Sequence, residues 1–497
     1  MAGVATVFSI TSCRFCEKAK RILKEHNIPY TEINLDDYPK RRGDMIAMAD
    51  AMTVPQVFFN NKHMGGADAI EALESSGELD KIWAQADTET LDSRLTAPEG
   101  PPAPRPTPSP RNLENFEAGS VKLNLVEVVY ALRKELGVEF KGAQLSKQLK
   151  VIFGLEGEND SDSIVANLAG KLISAGALTW RKSKTPVQFQ ADQTTFVLPE
   201  ALEELSLNNF REWKDRVDEP LVVVTALKKK LNAVLGKHRT ADAKTNYLAA
   251  SEDPEFAVFE ESASELQKFS LSEMDEKTRL AFVINLYNLL TLHAFTKVGV
   301  PAAGMDRTEF FDFVGYTLGG LFYSFNALEN GILRSNKNPP YHLQKTIRSN
   351  DPRAGAVLST CNPALHACIS CGASSCPPIK TFTAEAIDEE MRIAAQAFFE
   401  LDENCKVNVE ANTITVTKIV AWYQKDFGTD MVSALRTVQG WLRGQKAKDA
   451  ETVLNSPKPI INFAEYDWST DAHDSKQYTK HRGTLQVLAH MVFGTGR

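Results

Sequence analysis

Two cysteines, Cys13 and Cys16, stand where an apolar segment (4–10) ends and a helical one (17–26) begins. The order strand, Cys-x-x-Cys, helix restricts the fold sharply, because it sets one thiol just before a helix and the other in its first turn. Backbone N–H groups at a helix N-terminus have no intrahelical acceptor, and the helix dipole is positive there. Both favour thiolate over thiol, and cysteines so placed have pKa values lowered from about 8.5 to roughly 3.5–7.5. Cys13 is therefore expected to attack, and the more shielded Cys16 to resolve. Further on come Thr53-Val54-Pro55-Gln56-Val57-Phe58 and then Gly65-Gly66-Ala67-Asp68.

Together these pieces resemble a dithiol glutaredoxin over residues 1–86, a thioredoxin-fold domain that uses glutathione as reductant. The resemblance implies that Cys13 and Cys16 are the catalytic redox pair. It implies that Thr53-Val54-Pro55 carries a cis-proline facing the active site, and that Gly65-Gly66-Ala67-Asp68 is the glutathione turn. Thr53, Val54, Pro55, Gly66 and Asp68 are then the expected glutathione-binding residues. The residue types suit those roles. Cis X-Pro marks a deliberate turn and leaves the Val54 backbone to pair with an extended tripeptide. Glycines admit close approach of backbone to ligand, and Asp68 would receive the glutathione α-amine. Two positions depart from the family. Arg14-Phe15 replaces the usual Pro-Tyr, and Arg14 adds a cation that favours the thiolate. Ile10 stands where many members place a lysine for the glutathione carboxylate, with Lys40, Arg41 and Arg42 as the candidate replacements. Half of a zinc site and simple chance are the other readings of a bare Cys-x-x-Cys, and the ordered context argues against both.

At 497 residues the chain is far longer than this domain, and such a length suggests about three or four domains. A net charge of −8 and a pI near 5.7 argue against a general role on nucleic acid or anionic membrane. No apolar run approaches the roughly 18–20 residues that span a bilayer. The strand begins almost at once, leaving no room for a signal core. Seven cysteines, an odd number with Cys13 and Cys16 already paired, suit a reducing compartment. A cytoplasmic location is expected.

The clearest boundary is a linker at 87–117, where residues 98–110 hold seven prolines. Such a segment buries no core and extends as polyproline II. Pro101-Pro102-Ala103-Pro104-Arg105 also has the form of an SH3 ligand, with linker the preferred reading. Residues 118–200 read as three helices (121–136, 143–153, 162–175) and a hairpin, which suggests a winged helix. This module loosely resembles DEP domains of signalling proteins, and the resemblance implies binding of a partner or membrane. Its third helix offers only Lys171 as a cation, whereas DNA phosphates call for several; no nucleic acid partner is expected.

Residues 205–440 read as one C-terminal domain, with 441–497 an extension packing on it. An apolar helix (279–297) carries Asn285, Tyr287, Asn288 and His293. Asn285 and Asn288 share a face; as buried amides need partners, they clamp a neighbouring loop or line a site. Ile284-Asn285-Leu286-Tyr287-Asn288, Glu329 to Arg334, Cys371-Gly372 to Ser375-Cys376-Pro377-Pro378 and the tail Tyr466-Asp467-Trp468 resemble the family called domain of unknown function five-four-seven. That resemblance runs from about 225 to 430 and implies architecture rather than chemistry. The cysteines leave several readings open. Cys361, Cys368, Cys371 and Cys376 supply four thiolates for zinc or an iron–sulfur cluster. Cys371 or Cys376 is alternatively a nucleophile with His366 or His293 as base. They are otherwise buried apolar cysteines packing a turn, or thiol substrates of the chain's own glutaredoxin domain. No dedicated metal site is assigned.

The expected fold is multidomain: an α/β thioredoxin fold, an α+β winged helix and an α-rich α+β C-terminal domain. The expected function is glutathione-dependent thiol–disulfide exchange on protein or small-molecule mixed disulfides. Expected partners are glutathione, glutathionylated or disulfide-bearing proteins, and a signalling protein at the winged helix. The alternatives are a redox-sensing scaffold, or an iron–sulfur carrier bridged through Cys13 and glutathione.

Overall fold

The computed structural model describes residues 3–10, 13–86, 91–100, 114–180, 189, 191–202, 205–302, 304–341 and 343–479. The Pro-rich run at 101–110, with its SH3-like Pro101 to Arg105, lies outside the described residues. The chain clusters into two compact units. One comprises Met1–Thr107, Ala364–Cys368 and Phe382–Ala464; the other comprises Pro108–Pro363, Ile369–Thr381 and Glu465–Arg497.

The first unit opens with β1 (Ala5–Ser9), α1 (Arg14–Glu25), β2 (Tyr30–Asn34), α2 (Arg41–Ala49), β3 (Gln56–Phe59), β4 (Lys62–Gly65), α3 (Ala67–Ser75) and α4 (Leu79–Ala84). The sheet order is β2-β1-β3-β4, with β1 parallel to β2 and antiparallel to β3. Successive strand side chains point to opposite faces, and here both faces are covered. Val7, Val57 and Phe59 pack with Ala19, Ile22 and Leu23 of α1 and Ile70 of α3. Phe8 and Phe58 pack on the other face with Met45 and Ile46 of α2. This is the thioredoxin-like fold expected of residues 1–86.

The second cluster does not stop at α2. Ala386 and Ile393 join it, Ile393 from the helix Ile387–Phe399, and so does Leu95, wholly buried. The Leu95 carbonyl accepts the Thr6 hydroxyl at 2.8 Å. Two expected boundaries are therefore corrected. The linker is shorter than 87–117, because Leu95 packs on the N-terminal domain and Asn115–Ala118 is a strand. The C-terminal region is not one domain at 205–440 with an extension, because Phe382–Ala464 clusters with the N-terminal domain. A three-stranded sheet, Cys405–Asn408, Thr413–Val416 and Ile460–Phe463, completes this unit.

In the second unit, a hairpin (Asn115–Ala118 with Val121–Asn124) leads into helices Leu125–Leu136, Gly142–Phe153 and Ser161–Ser174. The first of these is closed by a capping box between Asn124 and Glu127. Thr195–Val197 lies between Glu139–Lys141 and Thr179–Trp180 in a small antiparallel sheet. Val128, Leu132, Leu149, Leu168 and Phe196 form the core between them. Beyond it, the helix Glu276–Lys297 is buried on nearly every side, which is why its sequence shows no amphipathic stripe. Ala327–Leu333 is a π-helix, wholly buried. Among the described residues no helix is long and apolar enough to cross a membrane.

Candidate functional site

Cys13 is the N-cap of α1. Its backbone is extended (φ −94°, ψ 104°), and its Sγ accepts the Cys16 N–H at 3.1 Å. The cysteines are joined as a disulfide with Cα atoms 5.2 Å apart. Cys16 is wholly buried, whereas Cys13 keeps part of its surface in solvent and Phe15 beside it is exposed. The Arg14 side chain lies outside the described residues.

Strand register brings the other motifs to this edge. Phe8 pairs with Gln56, so the end of β1 that leads to Cys13 lies beside the start of β3. Val57 pairs with Gly65, which sets the exit of β4 at the same edge. The Val54–Pro55 peptide is cis. A Cβ on Gly66 would stand 3.4 Å from the Pro55 carbonyl oxygen, so the glycine turn lies against the proline. Gly65 has φ +104°, and a Cβ there would lie 2.6 Å from that of Ala69. Gly66 then caps α3, with Asp68 in its first turn. Gln56 ties the approach together: its Nε2 donates to the Thr53 carbonyl at 2.8 Å, and its Oε1 lies 2.7 Å from His63 Nε2. Burial holds His63 below the ordinary imidazole range. Neither Gln56 nor His63 was singled out as a positioning group from sequence; only the adjacency of Gln56 to Thr53-Val54-Pro55 hints at it.

Ile10 packs against the Phe8 cluster. Of its candidate substitutes, Arg41 is engaged with Asp44 and the Arg94 carbonyl, and Arg42 with Glu390. Lys40 is exposed.

In the second unit, the Asn288 side-chain oxygen accepts the Ser370 N–H at 2.9 Å, and Thr291 donates to the Ser370 carbonyl at 2.8 Å. The helix thus clamps the loop that precedes Cys371. Asn285 is buried on the same helix. Cys371 and Cys376 have sulfurs 3.0 Å apart, and the Tyr466 hydroxyl stands 3.0 Å from Cys376 Sγ. Tyr466 entered the sequence reading only through its tail motif, since 90 residues separate it from Cys376.

Both candidate histidine bases have hydrogen-bond partners other than a thiol. His293 pairs through Nδ1 with the Tyr316 hydroxyl at 2.9 Å and packs against Phe256 and Phe259. Burial first, and then the Lys297 charge, push its pKa down to about 3. His366 belongs to the first unit, where Nε2 meets Asp426 Oδ2 at 2.8 Å and the ring stacks on Tyr423 at 4.2 Å. Neither imidazole is hydrogen-bonded to a thiol among the described residues. Cys368 donates to the Ala364 carbonyl. Among the described residues no group of three or more His, Cys, Asp or Glu is placed to hold a metal ion.

Residues 5–64 match the family described as Glutaredoxin, and residues 271–399 match the family described as Protein of unknown function, DUF547. Glutaredoxin 1 of Rickettsia conorii is 38% identical over 78 residues, 15% of this chain and 76% of that protein. Glutaredoxin 3 of Escherichia coli is 33% identical over 82 residues, 16% of this chain and 98% of that protein. A solved buckwheat glutaredoxin–glutathione complex is similar at 27% identity over 17% of this chain and 79% of that one, with a TM-score of 0.16.

Proposed function

Because its N-terminal domain makes this chain a member of the glutaredoxin family, we propose that Cys13 and Cys16 carry glutathione-dependent thiol–disulfide exchange on mixed disulfides. The chain is a glutaredoxin-type oxidoreductase. The observation that carries it is the asymmetry of the two sulfurs. Cys13 is partly exposed and capped by the Cys16 N–H at 3.1 Å, whereas Cys16 is buried. A thiolate at Cys13 is held by that N–H and by the positive end of α1.

The Cys13 thiolate attacks the glutathione sulfur of a substrate–glutathione disulfide. That S–S bond breaks, the substrate leaves as a thiol, and Cys13 is left glutathionylated. A second glutathione resolves it by releasing glutathione disulfide, or Cys16 does so by closing the internal disulfide and expelling glutathione. Thr53, Val54 and Pro55 line one side of the bound tripeptide through backbone pairing. Gly66 lets the ligand approach the turn, the N-terminus of α3 favours a glutathione carboxylate, and Asp68 receives the α-amine. With Ile10 apolar and Arg41 and Arg42 engaged elsewhere, Lys40 is the one of the three candidate cations that takes the second carboxylate. Residues 118–200 serve as a DEP-like winged helix that docks a signalling protein; three helices on a small antiparallel sheet support this.

Turnover of a small glutathione mixed disulfide by the full chain, with glutathione and a coupled reductase, tests this function. Many turnovers per chain are expected. A single stoichiometric oxidation of Cys13 and Cys16, with no turnover, would favour a redox-sensing scaffold instead.

A further inference from the structure

We propose that Cys371 and Cys376 are a second redox-active dithiol, which closes to a disulfide by exchange with a low-molecular-weight disulfide such as glutathione disulfide. Their sulfurs are 3.0 Å apart. Closing to a bond of about 2.05 Å requires a movement of about 1 Å, within reach of a side-chain rotation. The turn that carries them is held from both sides. Asn288 and Thr291 grip Ser370, and the Cys376 N–H donates to the Ala373 carbonyl at 2.9 Å. The tail is laced to the same turn: the Asp467 N–H donates to Ser375 Oγ at 2.8 Å, and the Ser374 N–H to the Ser469 carbonyl at 2.7 Å.

That lacing delivers Tyr466. Its hydroxyl is 3.0 Å from Cys376 Sγ and 3.7 Å from Cys371 Sγ. Cys376 Sγ also accepts the Cys371 N–H at 3.3 Å. One sulfur therefore gathers an amide, a phenol and a neighbouring thiol, the surroundings of a thiolate rather than of an apolar packing cysteine. The Cys371 thiol first, then the Tyr466 hydroxyl, hold the Cys376 thiol down to about 7 against the effect of burial. The Cys371 thiol is pushed up, first by its contact with Cys376 and then by burial. Cys405 shows the contrast: burial pushes its thiol up to about 11, the Lys446 charge opposing only in part. Both cysteines of the pair are partly exposed residues, and a small cavity lined by Phe295, Arg307, Phe311, Cys371 and Trp468 opens beside Cys371. The Arg307 guanidinium lies 4.2 Å over the Trp468 ring, which packs in turn on Tyr466 at 4.5 Å.

In the reaction, the Cys376 thiolate attacks one sulfur of glutathione disulfide. That S–S bond breaks, and one glutathione leaves and takes up the proton Cys376 has lost. Cys371 then loses its proton, and its sulfur attacks Cys376 Sγ, expelling the second glutathione as a thiol. Two electrons and two protons pass from the dithiol to the two glutathiones, and the reverse sequence reopens the bond. Neither Cys13 nor Cys16 takes part.

The test uses the full chain with Cys13→Ser and Cys16→Ser, so that the N-terminal couple is silent. The protein is equilibrated with mixtures of glutathione and glutathione disulfide, and free thiols are blocked by alkylation. Fragmentation of the peptide between Arg353 and Lys380, which also holds Cys361 and Cys368, locates any linkage. The expected result is loss of two hydrogens between Cys371 and Cys376, rising as glutathione disulfide replaces glutathione. Alkylation of both thiols in every mixture, stable glutathione adducts without closure, or linkage to Cys361 or Cys368 would each overturn the proposal. Tyr466→Phe keeps the ring and removes the donor; it is expected to slow alkylation of Cys376 near neutral pH about tenfold. An unchanged rate would overturn the assignment of Cys376 as the attacking sulfur.

Discussion

Arg42 in α2 donates through Nε to the carboxylate of Glu390 at 2.6 Å, across 348 residues of sequence. Glu390 is wholly buried and also accepts the Thr383 N–H at 2.6 Å and the Thr383 hydroxyl at 3.1 Å. A carboxylate so deep is tolerated because its oxygens are satisfied by charged and neutral donors. Nearby, Asp50 at the end of α2 pairs with Arg392 and Arg443, so polar contacts frame the apolar contact of Ile393.

Glu390→Ala is therefore expected to destabilise the first unit by about 2–3 kcal/mol. Arg42→Ala should cost a similar amount, because it leaves the buried carboxylate without its cation. The double variant should cost clearly less than the sum of the two. Urea unfolding of the four proteins measures this, and strict additivity would mean that the pair is not coupled.

The N-terminal domain was legible in the sequence because its determinants are local. The short apolar strands are buried on both faces, Val7, Val57 and Phe59 on one and Phe8 and Phe58 on the other, as continuous apolar runs of that length require. Cys13 and Cys16 mark the helix start, and Gly65 marks a turn that only a residue tolerant of positive φ fills easily. The apposition of Ile387–Phe399 to α2 was not legible. Ile393 reads as any apolar helix residue, and no local pattern names a partner more than three hundred residues away. The second site was half legible: Cys371 and Cys376 lie in one turn, but their polar neighbour Tyr466 comes from the tail. His366 lies five residues from Cys371 in sequence, yet its hydrogen-bond partner is Asp426, 60 residues further on, which no local pattern names.

Gly65→Ala tests the glutathione turn. At φ +104°, and with the Ala69 Cβ only 2.6 Å from an added methyl, the turn must distort. A loss of about 1–3 kcal/mol is expected, together with a several-fold rise in the KM for glutathione. Unchanged stability and KM would separate this turn from ligand binding.

His293 gives the second unit an acid-sensitive point. Burial and the Lys297 charge lower its pKa to about 3, and Glu260 opposes them only in part. The folded state therefore holds His293 neutral while the unfolded chain takes up a proton near pH 6.5. The contribution to stability is complete above about pH 6.5 and is lost as pH falls toward 3; between pH 7 and 5 it amounts to about 2 kcal/mol. His293→Gln should flatten the pH dependence of unfolding by that amount in this window. An identical pH dependence in the variant would show that His293 is not the titrating group.

The most direct test of the proposed function compares Cys13→Ser with Cys16→Ser in the full chain, assayed for glutathione-dependent reduction of a small mixed disulfide. Cys13 is the partly exposed N-cap whose sulfur accepts the Cys16 N–H, and Cys16 is buried under the first turn. Glutathione can resolve the Cys13 adduct without Cys16, so losing Cys16 closes one route and leaves the other. Cys13→Ser should abolish turnover, whereas Cys16→Ser should keep a substantial part of it. Unchanged activity in Cys13→Ser, or equal and complete loss in both variants, would contradict the assignment of Cys13 as the thiol that carries glutathione.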